Sequence, residues 1–107
     1  MRLRLKFYKI ALEQGEDLLV DYSKPEEKLP ISEFYKVVDY LTIFKSDDWW
    51  EAVVVFEAYG KRQIGFYLWQ KRNGKWKRKN KFSVRTVNEW ERLKGAVDLL
   101  SPELAEK

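Results

Sequence analysis

Ten cations and six aromatic rings share one stretch of this chain, residues 58–88, with no carboxylate among them. The cations are Lys61, Arg62, Lys71, Arg72, Lys75, Lys77, Arg78, Lys79, Lys81 and Arg85; the rings are Tyr59, Phe66, Tyr67, Trp69, Trp76 and Phe82. Closely spaced cations can track a line of phosphates, and flat rings among them can stack on unpaired bases. The rest of the chain holds 11 Lys and Arg against all 17 Asp and Glu, so the modest net charge of +4 conceals a polarised molecule. Such segregation points to a polyanionic partner.

Other chemistries have little to stand on. There is no Cys and no His, which removes disulfides, thiolate nucleophiles, Ser-His pairs and nearly every zinc arrangement. Catalysis would fall to carboxylates or Lys. Asp47, Asp48 and Glu51 could be read as a hard-ion site for phosphodiester cleavage. Three acids at a junction between elements are commonplace, however, and Asp47 can simply terminate one. The expectation is a non-enzyme with no catalytic residue, metal or cofactor.

The elements that must position these residues come in a legible order. Arg2, Arg4 and Lys6 alternate with Leu3, Leu5 and Phe7 as in a strand, although continuation to Gly15 also suits a helix with a glycine cap. Glu16 to Tyr22 is ambiguous, and Ser23 to Pro30 is a loop. Ser32 looks like an N-cap, with Phe34, Val37, Val38, Leu41 and Phe44 at helical spacing behind it. Trp49 to Tyr59 reads as a strand with Trp50, Ala52, Val54, Phe56 and Ala58 towards the core. A turn at Gly60-Lys61 leads to a second strand, Arg62 to Arg72, with Ile64, Phe66 and Leu68 on one side and Gln63, Gly65, Tyr67, Trp69 and Lys71 on the other. Asn73-Gly74 signals a type I′ hairpin, and Lys75 to Val84 returns with Lys75, Lys77, Lys79 and Lys81 in one parity. Thr86 and Glu89 form a capping box before an amphipathic helix carrying Trp90, Leu93, Val97 and Leu100, stopped at Ser101-Pro102.

The predicted architecture is a single α+β domain over residues 1–107. Residues 1–48 form an N-terminal piece and helix; 49–100 form the sheet and closing helix. An antiparallel meander of three to four strands is packed by helices on one face, and its other face is open for binding. No apolar run approaches the length that spans a bilayer and no signal-peptide core opens the chain, so a cytoplasmic protein is expected. Abundant Lys and Glu with three Asn, three Gln and one Met resemble thermophile usage.

From Trp49 to Leu100 the pattern resembles the single-stranded-DNA-binding coactivators of the positive-cofactor-four type. The elements that carry the likeness are Val53-Val54-Val55, the Asn73-Gly74 hairpin, the Lys75–Lys81 run, Phe82-Ser83-Val84, and Glu89-Trp90-Glu91-Arg92-Leu93-Lys94. The added N-terminal part makes the whole chain more similar to the archaeal ThermoDBP family of single-stranded-DNA binders. The resemblance implies sequence-tolerant binding of single strands and self-association, in part through the closing helix.

Read from the residues alone, the nucleic-acid-binding set is Tyr59, Lys61, Arg62, Tyr67, Trp69, Lys71, Arg72, Lys75, Trp76, Lys77, Arg78, Lys79, Lys81 and Arg85. Each has a plainer alternative. Lysines along a strand also protect a sheet edge, and Tyr67 and Trp69 are core if their face is covered. RNA is an alternative ligand, and an acidic N-terminal half could instead recruit a protein to a transcription complex.

Overall fold

The computed structural model describes residues 7–11, 17–22 and 25–105, with side chains from residue 22 onward. Strands β1 (Phe7–Ala11) and β2 (Asp17–Asp21) pair antiparallel. The alternation at Arg2, Arg4 and Lys6 and the cap expected at Gly15 lie outside the described residues. Strands β3 (Lys36–Lys45), β4 (Trp49–Ala58), β5 (Lys61–Arg72) and β6 (Lys75–Val84) form an antiparallel meander in that order. Helix α1 (Val87–Leu100) follows and ends in a 3-10 turn, Ser101–Ala105. The meander packed against a C-terminal helix on one face is the architecture read from the sequence.

The helix expected over Phe34–Phe44 is instead strand β3. Its residues, Val37, Val38, Tyr40, Thr42, Ile43 and Phe44, are β-branched or aromatic and suit a pleated surface. The helix-like spacing has a local origin. The register with β4 skips Val38 and Ile43, so two bulges reset the strand parity within eight residues. The start signal was also misleading: Ser32 Oγ accepts from the Phe34 amide at 3.2 Å and the Ser32 carbonyl from the Tyr35 amide at 3.1 Å. Those bonds make a serine turn rather than a helix cap.

Both hairpins downstream are two-residue loops with positive φ at each position: Tyr59 (55°) and Gly60 (74°), then Asn73 (53°) and Gly74 (74°). That is type I′ geometry, which matches the twist of the flanking strands. The first loop fixes which sides meet, pairing Trp50 with Trp69, Ala52 with Tyr67 and Val54 with Gly65. The even residues of β4 are core, as expected, with Trp50 and Val54 fully buried. Pairing therefore buries Gly65, Tyr67 and Trp69, while Ile64, Phe66 and Leu68 turn to the opposite face.

What covers the buried face, among the described residues, is the segment 25–35. Leu29, 7% exposed, joins the cluster of Trp50, Ala52, Val54, Phe56, Ala58, Tyr67 and Trp69, and Ile31, Tyr35, Tyr40 and Trp76 pack at its margin. We call this the strap face. The face opposite the helix is thus not bare. On the helix face, Trp90 of α1 approaches Phe66 with ring centroids 6.0 Å apart. Thr86 Oγ1 accepts from the Glu89 amide at 3.0 Å, and the Glu89 carboxylate accepts from the Arg85 amide at 3.1 Å, one residue before the cap. No residue of α1 is fully buried.

Gly65 shows how tightly the strap face is packed. A Cβ there would meet Tyr67 Cε1 at 2.6 Å and Phe56 Cε1 at 3.0 Å. Neither ring has room to retreat, because Tyr67 stacks on Trp69 at 5.0 Å and Phe56 meets Tyr35 edge-on at 5.1 Å. Gly65→Ala therefore destabilises the fold by about 1–3 kcal/mol, read as a lower urea midpoint.

Candidate nucleic-acid interface

The sequence-derived binding set does not share one surface. Lys71, Arg72, Lys75, Trp76, Lys77, Arg78 and Lys79 gather around the β5–β6 hairpin, whereas Tyr59, Lys61, Arg62 and Arg85 stand at the far end of the sheet. The twelve residues of β5 span the gap, about 36 Å at 3.3 Å per residue. Tyr67 and Trp69 lie between, 3% and 1% exposed, so in this conformation they are core and not an open stacking platform.

The lysine run is also divided. β6 pairs regularly with β5 up to Trp69–Arg78 and resumes at Leu68–Asn80, leaving Lys79 as an extra residue. This bulge breaks the two-residue spacing. Lys75 and Lys77 share the helix face with Arg72 and Gln70, while Lys81 faces Tyr67 on the strap face. There the Lys81 ammonium sits 4.4 Å from the Tyr35 ring centroid, 4.8 Å from Phe56 and 5.5 Å from Tyr67. Such contacts hold a cation in place, so Lys81 is engaged within the protein. Arg62 is engaged too, donating to the Glu57 carboxylate from Nη2 at 2.7 Å and Nε at 3.2 Å. That bond holds the Glu57 carboxyl below its ordinary range.

Five exposed cations cluster at the hairpin, while Lys61 and Arg85 are equally exposed at the far end. Arg72, Lys75, Lys77, Arg78 and Lys79 are exposed and have no ion-pair partner among the described residues. β6 is an edge strand, so its lysines also discourage pairing with another chain. The acids Asp47 and Asp48 stand beside the same end, where the Asp48 carbonyl accepts from the Lys71 amide at 2.7 Å. Among the described residues no group of acids is arranged to hold a metal ion.

On the strap face at this end the sequence concealed an anion site. Trp76 Nε1 donates to Glu27 Oε2 at 2.6 Å, and the Lys45 ammonium lies 3.2 Å from Glu27 Oε1. Lys45 also sits 5.0 Å from the Trp50 ring and 5.3 Å from Trp76, and Lys71 is 5.3 Å from Trp76. The Trp76 hydrogen bond holds the Glu27 carboxyl below its ordinary range; burial opposes this, and Lys45 and Lys71 reinforce it. The contact is therefore present above the unfolded-state pKa and is lost as pH falls through the lowered one. Neither Glu27 nor Lys45 was singled out from the sequence. Glu27 is 49 residues from Trp76, and no local pattern links the two.

Beneath the strap, Tyr67 Oη and Trp69 Nε1 are buried without a hydrogen-bond partner among the described residues. Each such group costs about 1–3 kcal/mol of desolvation. A cleft of about 440 Å³ lies along the segment, bordered by Val37 and Tyr40 of β3.

No protein-family model, curated protein or solved structure matches this chain. Its class is defined by its fold alone: a four-stranded antiparallel meander with a C-terminal helix on one face. Among the described residues, no helix is long and apolar enough to cross a membrane.

Proposed function

We propose that this protein binds single-stranded nucleic acid, DNA in the first instance, without strong sequence preference and without catalysing a reaction. The observation that carries the reading is the unpaired cation cluster at the β5–β6 hairpin: Arg72, Lys75, Lys77, Arg78 and Lys79 on a two-residue turn. Free cations on a stiff hairpin suit phosphates, and half-exposed Trp76 beside them offers a ring to a base. The order of strands, basic hairpin and Trp-bearing helix is the pattern on which the resemblance to the ThermoDBP-like and coactivator-like binders rests. Tyr67 and Trp69 take no part while the strap is closed, and Lys61 and Arg85 extend the path only for a strand long enough to reach the far end.

The reading includes self-association. Ile43, Phe44, Ile64 and Phe82 are exposed hydrophobics of the sheet, and Val97, Leu99 and Leu100 are exposed on α1. Exposed apolar side chains in this number suit a second copy. Light scattering then gives twice the 12.9 kDa of one chain.

Titration of tryptophan fluorescence with matched single-stranded DNA, RNA and duplex oligonucleotides at several salt concentrations tests the function. With five hairpin cations on phosphates, log K falls with log[salt] at a slope of roughly −3.5, about −0.7 per phosphate. A slope near zero removes the proposal; tighter RNA binding reassigns the ligand.

A further inference from the structure

We propose that Trp76, Lys45 and Lys71 form a phosphodiester site that Glu27 fills in the closed state, and that segment 25–35 is a displaceable cover over Tyr67 and Trp69. This inference rests on the nucleic-acid reading and adds to it a site and a means of control.

The donors come from the sheet and the anion from irregular chain. Lys45 ends β3, Lys71 lies on β5 and Trp76 on β6, so three strands bring one indole N–H and two ammonium groups together, Trp76 and Lys45 on Glu27 directly and Lys71 5.3 Å from the Trp76 ring. Nothing in that arrangement is specific to a carboxylate. A phosphodiester presents the same pair of acceptor oxygens and the same charge, and Lys and indole N–H donors serve it equally. Glu27 remains 40% exposed while it occupies the site, so an incoming strand can reach it from solvent.

What lies under the cover fits the same ligand. Tyr67 and Trp69 are stacked at 5.0 Å with planes 14° apart, and Trp50 and Trp76 continue the aromatic surface at 5.6 Å. Both rings carry a polar group that, among the described residues, has no hydrogen-bond partner. Opening returns Tyr67 Oη and Trp69 Nε1 to water or to base edges, and it exposes π faces beside the vacated anion site. A cleft runs between the segment and β3. Leu29 and Tyr35 hold it shut by packing against the core. Binding is then a competition in which the closed population lowers the apparent affinity.

Glu27→Gln tests this on the whole chain, with Glu33→Gln as control. Glu33 lies on the same segment and removes the same charge, but it pairs with exposed Lys28 at 3.3 Å. Fluorescence anisotropy with a labelled oligothymidylate at low salt is the readout. Glu27→Gln tightens binding by about tenfold, as expected when a state populated near 90% no longer competes. Glu33→Gln changes it by less than about twofold. Trp76→Phe in the Glu27→Gln background reverses the gain, because the N–H donor is gone. Amides of residues 25–35 exchange faster in the wild type once the oligonucleotide is added. If both glutamine variants bind like the wild type, or both tighten equally, the cover is overturned and the nucleic-acid reading stands. If no form binds, both fall.

Discussion

Replacing Lys75, Lys77, Arg78 and Lys79 together by Gln weakens binding of single-stranded DNA by two to three orders of magnitude at low salt and leaves the fold intact. All four side chains are exposed, and none has an ion-pair partner among the described residues. The substitution therefore removes charge without opening a cavity or orphaning a partner. Each phosphate contact contributes about −0.7 to the salt slope, so losing four lowers its magnitude by roughly 3. At ~0.1 M salt that corresponds to roughly a 600-fold loss relative to the salt-independent remainder. Anisotropy titrations at several salt concentrations give affinity and slope together, and far-UV circular dichroism checks the fold. An unchanged slope would show that the lysines of β6 serve only to guard the edge.

The second large effect concerns stability. Trp50→Ala costs about 3–5 kcal/mol, against a total of ~5–15 kcal/mol for a domain of this kind. Trp50 is fully buried, and its Nε1 donates to buried Thr42 Oγ1 at 3.1 Å. Its ring lies 5.6 Å from both Trp69 and Trp76. Truncation leaves a void beside the indoles of Trp69 and Trp76, a hydroxyl without its donor, and no backing for the ring that holds Glu27. Trp50→Phe keeps most of the volume and loses the N–H, so the milder cost of about 1–3 kcal/mol isolates the hydrogen bond and the remaining packing. Urea unfolding followed by circular dichroism measures both. A midpoint for Trp50→Ala close to the wild type would mean that Trp50 is not the keystone of this sheet.

The sequence made some of this legible because the signals were local. Alternation along β4 marked Trp50, Ala52, Val54, Phe56 and Ala58 as core, and all five are buried. Asn73-Gly74 marked its hairpin because few other residues accept two positive φ angles. The face of β5, open between platform and core on alternation alone, is decided by one further step. A two-residue loop between Ala58 and Lys61 pairs even positions of β4 with odd positions of β5, so a buried Trp50 requires a buried Trp69. Placing Tyr67 and Trp69 in the binding set conflicts with that register, which favours their plainer reading as core. β3 was hidden because bulges at Val38 and Ile43 disguise a strand as a helix. The Glu27 site was out of reach altogether, since only tertiary folding brings Trp76 and Lys45 to it.

The irregular pairings along β3 and β6 bear on how copies of this protein can meet. Those two strands bound the meander, and each is interrupted by residues with no opposite number: Val38 and Ile43 on one side, Lys79 on the other. A neighbour adding edgewise would find its hydrogen-bonding ladder out of step on either flank, and lysines besides on the second. Growth into a continuous ribbon is thereby disfavoured, and a contact flat side to flat side, or helix to helix, meets no such mismatch.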